Sequence, residues 1–529
     1  MLSSVVALVP ALGVMEVLIA LVVLLVVRHY YRTAGFWSRK GVPSAPGVPI
    51  FGSSIPFVLQ SEYRGYSMQR FYKDARAKDQ PCVGLFIGSR PVLLLTDMDL
   101  IRAVMVKDFS HFMDRGLPYD RQGEPLTANL FNLEGAEWRS LRHKLTPTFT
   151  SGRMRAMFPL VSACADELQH VLAAEAAAGK PVEMFELLAR FTTDVIGTCA
   201  FGIQANALKD PQAEFRLMGR KAFEIPKMAM AFLLVVPQLL PFFKKVFSVR
   251  LINKKVADFF NGVFQETIQH RQKNNVLRHD FVDLLMQIKT KGQLAEDDGT
   301  LRAEAAGGID EDLLPAQAFV FFLAGFETSS SALGNLMTEL AHNPDVQDKA
   351  RAEVERVLAK HGGKLTYEAL GELTYMDRVI DETMRLYPAA SILSRVVTED
   401  YTLPFPGKDG KPAVLEKGLQ VIIPTFALHR DPEYFPEPDK FDPERFTEEA
   451  KRSRPHYSYI PFGEGPRVCI GLRFAMMQMK AGLSAILLKF RVLPVEGAND
   501  YPAQFEPVSF VTKTIGGNKV ILQPVEQKS

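Results

Sequence analysis

Cysteine is scarce. Only four occur in 529 residues, Cys82, Cys164, Cys199 and Cys469, scattered and without a CxxC pair. That spacing excludes a disulfide framework and suits a reducing compartment. An excess of one charge is also missing. The chain has 62 basic and 60 acidic side chains, a net +2, so no nucleic-acid partner is indicated. The ten histidines do not fall at metal-ligand spacing, and there is no HExxH, P-loop or GxSxG motif. No Rossmann glycine signature and no flavin domain occur, so electrons for any redox chemistry must come from outside. Internal repeats and long low-complexity segments are absent too.

Phenylalanine is abundant, at 37, and methionine reaches 19. Such residues build either a large core or an adaptable apolar pocket, and composition alone does not separate the two. Val5 to Val27 is one apolar stretch interrupted only by Glu16. As a helix it spans roughly 30 Å of hydrocarbon. Its sixteen Val, Leu and Ile residues outweigh one central charge, at about −0.3 to −0.6 kcal/mol each against roughly +3. Arg28, Arg32, Arg39 and Lys40 follow it, which places the rest of the chain in the cytoplasm. A cleaved signal peptide is the competing reading, but a basic leader and a small-x-small site before Arg28 are lacking.

The expected organisation is an anchor over 1–30, a basic and proline-rich linker over 31–50, and a catalytic domain over 51–529. Gly41 to Pro49 holds three prolines and two glycines, which forbid helix. Helical patterns dominate from about residue 100 to 390. A strand pair is expected at Val83–Gly88 and Pro91–Thr96, with further strands at Leu419–Pro424 and within Pro507–Pro524 around a Gly516-Gly517 turn. Residues 288–311 read as a polar surface loop. Met228–Phe243 fits either a segment dipping into a bilayer or a core helix. The expected fold is mainly α with small β-sheets, behind a single N-terminal transmembrane helix.

Pro461-Phe-Gly-Glu-Gly-Pro-Arg-Val-Cys-Ile-Gly471 is the most informative segment. Gly463, Gly465 and Gly471 permit tight turns and close approach to a flat group. A helix over Leu472–Lys489 begins beside Cys469, where its N-terminus favours negative charge. A buried, inert cysteine is the plain alternative. Against it stands the pattern FxxGxRxCxG, matched at every fixed position. The segment resembles the haem-binding signature of the cytochrome P450 family. The resemblance implies haem b as cofactor, with Cys469 as its axial ligand, Arg467 paired to a propionate and Phe462 packed on the proximal face of the ring. It extends over essentially the whole chain, with all motifs in the expected order.

A second segment, Ala324-Gly-Phe-Glu-Thr-Ser329, sits in the middle of a helix over Leu313–His342. Ala324 and Thr328 are one turn apart and share a face. Ala324 leaves room for a ligand, Thr328 can hold a water, and Glu327 can link it to a proton supply. Alternatively Thr328 bonds back to a carbonyl one turn earlier. The segment resembles the family's oxygen-activation motif, with Ser329 in place of the commoner second threonine. Glu382-Thr-Met-Arg385 resembles the ExxR motif, whose buried pair is joined by a downstream arginine, here Arg445. Trp138 and Arg142, together with Arg395 and Arg115, complete a cradle for two propionates by the same resemblance.

Pro147–Met154 and His429–Pro436 look most like the microsomal animal enzymes that oxidise foreign compounds, with insect members nearest. The implied reaction inserts one atom of O2 into an apolar small molecule. The implied partners are a membrane-bound NADPH-dependent cytochrome P450 reductase and cytochrome b5, at the endoplasmic reticulum membrane. Lys451, Arg452, Arg454 and Arg473 are candidates for the basic surface that meets the reductase. An endogenous steroid or fatty acid is the alternative substrate. Two rivals keep the cofactor but not the chemistry: a haem-thiolate isomerase or peroxide-using enzyme, and a haem sensor. The intact acid–alcohol pair argues against the first.

Overall fold

The computed structural model describes residues 35–224, 250–276, 278, 280–291, 310, 313–407, 410–497 and 501–525, with scattered positions between 13 and 28. At its centre runs the helix Leu314–His342. Pro315 stands in its first turn, where a missing N–H is no loss, and Asn343-Pro344 ends it. Its apolar side chains point all round, so most of it is buried. Met184–Ile196 packs alongside. Gly325 allows that approach, since a Cβ there would lie 2.6 Å from Ile196 Cδ1. Thr192 ties the two helices by donating to the Phe326 carbonyl at 3.0 Å.

Leu472–Lys489 packs on Ser151–Ala177 and also reaches the central helix. There Gln478 donates to the Gly325 carbonyl at 2.9 Å and to the Ser329 hydroxyl. The phenylalanines form a ring cluster against the central helix, with Phe215–Phe322 at 4.7 Å, Phe322–Phe326 at 4.9 Å and Phe260–Phe319 at 5.1 Å. Much of the phenylalanine excess is therefore core.

A four-stranded sheet lies to one side, in the order Cys82–Ile87, Arg90–Leu95, Gln420–Ile423, Leu393–Val396. Val92 to Leu95 are all buried, the continuous apolar run of an interior strand. Trp37 locks the outer strand by donating to the Leu85 carbonyl at 3.1 Å. A three-stranded sheet joins Val182–Glu183, Lys519–Pro524 and Phe490–Pro494, and Tyr401–Pro406 pairs with Pro412–Leu415.

The mainly α expectation holds, with several corrections in detail. The expected turn at Gly516-Gly517 is there, with Gly517 N–H donating to the Thr514 carbonyl at 3.4 Å, but it does not join two strands. Only Lys519–Pro524 is a strand, and it pairs with Phe490–Pro494. The residues before it bond to the central helix instead: Ser331 donates to the Thr512 carbonyl, and Asn518 donates to Asn335 at 3.2 Å. Helix Phe281–Lys291 runs into the stretch expected to be loop from 288. The short strands at 393–396, 401–406, 412–415 and 490–494 carry too few alternating residues to stand out in the sequence.

Among the described residues no helix is long and apolar enough to cross a membrane. Most of Val5–Val27, and all of Met228–Phe243, lie outside the described residues.

Candidate active site

The cysteine loop is built from three backbone turns. Gly463 N–H donates to the Ile460 carbonyl at 3.0 Å, Val468 N–H to Gly465 at 2.9 Å, and Cys469 N–H to Phe462 at 2.9 Å. Gly463 and Gly465 both have left-handed backbones, at φ 72° and 71°. At Gly465 a Cβ would also stand 2.0 Å from the Met105 carbonyl oxygen. Gly471 differs: its φ of −92° suits any residue, and its N–H points at the Cys469 sulfur. Two arginines pin the loop from outside. Arg115 donates to the Arg467 carbonyl at 3.2 Å and Arg142 to the Val468 carbonyl at 2.9 Å.

Burial pushes the Cys469 thiol up, while the Gly471 N–H, Arg142 and Arg115 pull it down. Cys469 carries exposed surface although the protein encloses it, as a side chain does when it faces an internal space. The other thiols lack this setting. Burial pushes Cys82 and Cys164 up to about 12 and Cys199 well up.

Four guanidinium groups converge here. Arg467 donates to the Met113 carbonyl and the Leu133 carbonyl, each at 2.9 Å, and stacks 3.8 Å over the Trp138 ring. Its Nη1 and the Arg395 Nε are buried without a hydrogen-bond partner. Among the described residues Asp114, 3.4 Å from Arg467, is the one carboxylate in ion-pair contact with any of the four. Burial depresses Arg467 to about 9 and Arg395 to about 10. Arg115 is pushed well down, first by burial and then by repulsion from Arg467, Arg395 and Arg142. Buried cations this poorly compensated call for an anion with more than one acceptor. Trp138 stacks on Arg467, and Arg142 holds the loop.

On the central helix, Ala324 is exposed although Phe322 and Phe326, two residues to either side, are buried, and Thr328 shares its face. Thr328 donates to the Ala324 carbonyl at 2.7 Å, the back-bond that its spacing allows. Glu327 points elsewhere, into a polar cavity of about 280 Å³ lined also by Glu186, Arg216, Glu506 and Lys513. Burial raises the Glu327 pKa, and Lys513 and Arg216 oppose that rise. Phe322 is fully buried in the ring cluster. Phe131 is half-exposed, under Arg115 at 4.3 Å.

A scaffold lies behind the loop. Glu382 and Arg385 are both fully buried, and Arg385 donates to the two Glu382 oxygens at 2.7 and 2.8 Å. Arg445 Nε approaches Glu382 to 3.4 Å, which joins the trio that the family resemblance implies. Arg385 further donates to the carbonyls of His429, Pro438 and Lys440.

Residues 42–519 match the family described as Cytochrome P450. The chain belongs to the cytochrome P450 family. It is 40% identical to Cytochrome P450 6a2 of Drosophila melanogaster over 494 residues, covering 92% of this chain and 95% of the relative. It is 40% identical to Cytochrome P450 6k1 of Blattella germanica over 513 residues, covering 95% and 96%. To Cytochrome P450 6A1 of Musca domestica it is 39% identical over 482 residues, covering 90% and 91%. As a cytochrome P450 it is a haem-dependent monooxygenase that uses O2 and a redox partner.

The arrangement fits that cofactor: an enclosed thiol supported by an N–H and two arginines, and unpaired guanidinium atoms for a dicarboxylate. Sequence reasoning missed Asp114, Arg216, Lys513 and His429. Each is an ordinary polar residue locally, and only the distant partners across the fold give it a place.

Proposed function

We propose that Cys469 is the axial thiolate ligand of the haem iron. The observation that carries this reading is its position: alone among the four cysteines it faces an internal space between Arg115, Arg142 and the Gly471 N–H. Arg467, Arg395 and Arg115, with Trp138 stacked behind Arg467, hold the propionates; Phe462, Gly463, Gly465 and Gly471 form the surface under the ring, and Ala324 the surface above it. Bound there, haem would supply oxidation by O2, with O–O cleavage favoured by a thiolate ligand as in cytochromes P450 generally.

Thr328 holds a water and hands on a proton, and Glu327, whose carboxyl faces the separate polar cavity, links the helix to a proton supply on that side. The raised Glu327 pKa supports a carboxyl able to carry a proton. Thr328→Ala is expected to lower product formed per NADPH consumed by about tenfold or more, with hydrogen peroxide rising in its place. Unchanged coupling in the reconstituted enzyme would refute the role.

The substrate is an apolar small molecule, and the likeness to animal enzymes acting on foreign compounds favours xenobiotics. Electrons come from an NADPH-dependent reductase, with cytochrome b5 as a second donor. Lys451, Arg452 and Arg473 are exposed and support a basic docking face. Arg454 does not, because it lies between the Phe435 and Phe446 rings at 4.6 and 4.9 Å. The chain is anchored in the endoplasmic reticulum membrane by residues 1–30. Deleting them should move a large share of the expressed protein from the membrane pellet to the soluble fraction; an unchanged distribution counts against the anchor.

The whole reading is tested by reconstitution with reductase, NADPH and isotopically labelled O2. One labelled oxygen atom in the product is the expected result. Turnover that needs only an organic hydroperoxide, with no label from O2, would favour the peroxide-using alternative.

A further inference from the structure

His429 stands between the buried Glu382–Arg385 pair and the entrance to the cysteine loop. Its side chain is fully buried. Its Nε2 accepts the Ile460 N–H at 2.9 Å, so that nitrogen carries no proton. Nδ1 therefore holds the hydrogen; it lies toward the backbone of Met384 and Arg385 without a hydrogen bond of good geometry. The His429 carbonyl in turn accepts from Arg385 Nη1 at 2.9 Å. One residue thus contacts the Glu–Arg helix with its carbonyl and the loop with its ring.

Ile460 is where the loop begins. Its carbonyl accepts the Gly463 N–H at 3.0 Å, and the next turn closes when Phe462 accepts the Cys469 N–H at 2.9 Å. The position of the Ile460 peptide therefore propagates through two hydrogen bonds to the Cys469 backbone. Tyr459 braces the same point, with its ring 5.1 Å from His429 and its hydroxyl donating to the Asp381 carbonyl at 2.9 Å. Burial, then Arg385 and Arg430, depress the His429 pKa to about 3, so the ring stays an acceptor across ordinary pH.

We propose that His429 is a positioning residue that sets the entry of the cysteine loop, through the Ile460 N–H, and thereby the placement of the Cys469 sulfur. The proposal rests on Cys469 being the haem ligand. It assigns the imidazole no contact with haem or substrate. What it requires is an acceptor at the place of Nε2.

The test compares two full-length, haem-loaded variants. His429→Gln keeps an oxygen acceptor at about the reach of Nε2, whereas His429→Leu fills the space and leaves the Ile460 N–H without one. The share of the reduced carbon monoxide complex that shows the thiolate-ligated Soret band is read for each, beside its thermal midpoint. The expected result is a severalfold loss of that share in His429→Leu and its retention in His429→Gln. Equal shares in the two variants, whether both intact or both lost, overturn the proposal. If His429→Leu yields no folded protein, His429→Asn replaces it, since its shorter side chain falls short of Ile460, and the same comparison decides. Absence of the thiolate band in the unsubstituted protein is a separate outcome and defeats the Cys469 assignment itself.

Discussion

Cys469→Ser is expected to abolish the thiolate Soret band of the reduced carbon monoxide complex while the fold persists. Turnover should fall by more than the roughly 100-fold that losing a hydrogen-bond partner of a metal ligand costs. The fold persists because the loop is held by its backbone turns and by Arg115 and Arg142, none of which uses the sulfur. Cys164→Ser is the control. Cys164 is packed against the apolar core, and its substitution should leave the band in place. A Cys469→Ser protein that kept the band and the activity would sink thiolate ligation at this position.

Arg385→Leu should be the most destabilising single change in the scaffold. It leaves the Glu382 carboxylate fully buried with its main partner gone. Breaking a buried pair from one side costs about 3–5 kcal/mol, a large part of the roughly 5–15 kcal/mol that holds a domain folded. Arg385 also satisfies the carbonyls of His429, Pro438 and Lys440, so the loss spreads to the segment leading toward the cysteine loop. The expected outcome is little folded, haem-loaded protein, read by circular dichroism and haem content. Removing the partner as well should undo part of the damage. The double variant Glu382→Leu with Arg385→Leu removes the buried carboxylate together with its main partner, leaving Arg445 with the Glu437 carbonyl as acceptor, and its loss should be clearly smaller than the sum of the two single losses. Simple additivity in urea denaturation would show that the pair is not coupled.

The two changes fail differently because the site has two layers. Cys469 touches the cofactor in the proposed reading and bears little of the architecture. Arg385 bears the architecture and is separated from the loop by His429 and Ile460.

Motifs made of fixed local spacing were legible before the fold was known. Cys469 with its glycines, the Glu382–Arg385 pair three residues apart, and Ala324 one turn from Thr328 all lie within a single loop or helix. The helix Leu472–Lys489 was legible to the residue for the same reason. Contacts between distant segments were not. The pairing of Lys519–Pro524 with Phe490–Pro494, the Arg467–Trp138 stack and the cavity around Glu327 join residues far apart in the chain. Hydrophobic period and spacing carry no information about such partners. Gly471 and Gly465 make the point within one loop. Both read alike in sequence, yet one needs glycine at φ 71° under a carbonyl oxygen and the other has an ordinary backbone.

By itself the sequence determined the family and the mainly helical build, and singled out Cys469 as the candidate thiol, because those are written in short-range patterns that a chain keeps in any environment. Only the tertiary structure decided which arginines lack partners, that Glu327 and Thr328 face different spaces, and that His429 stands behind the cysteine loop. Burial and charge compensation are properties of what surrounds a side chain, and the surroundings exist only once the chain has folded.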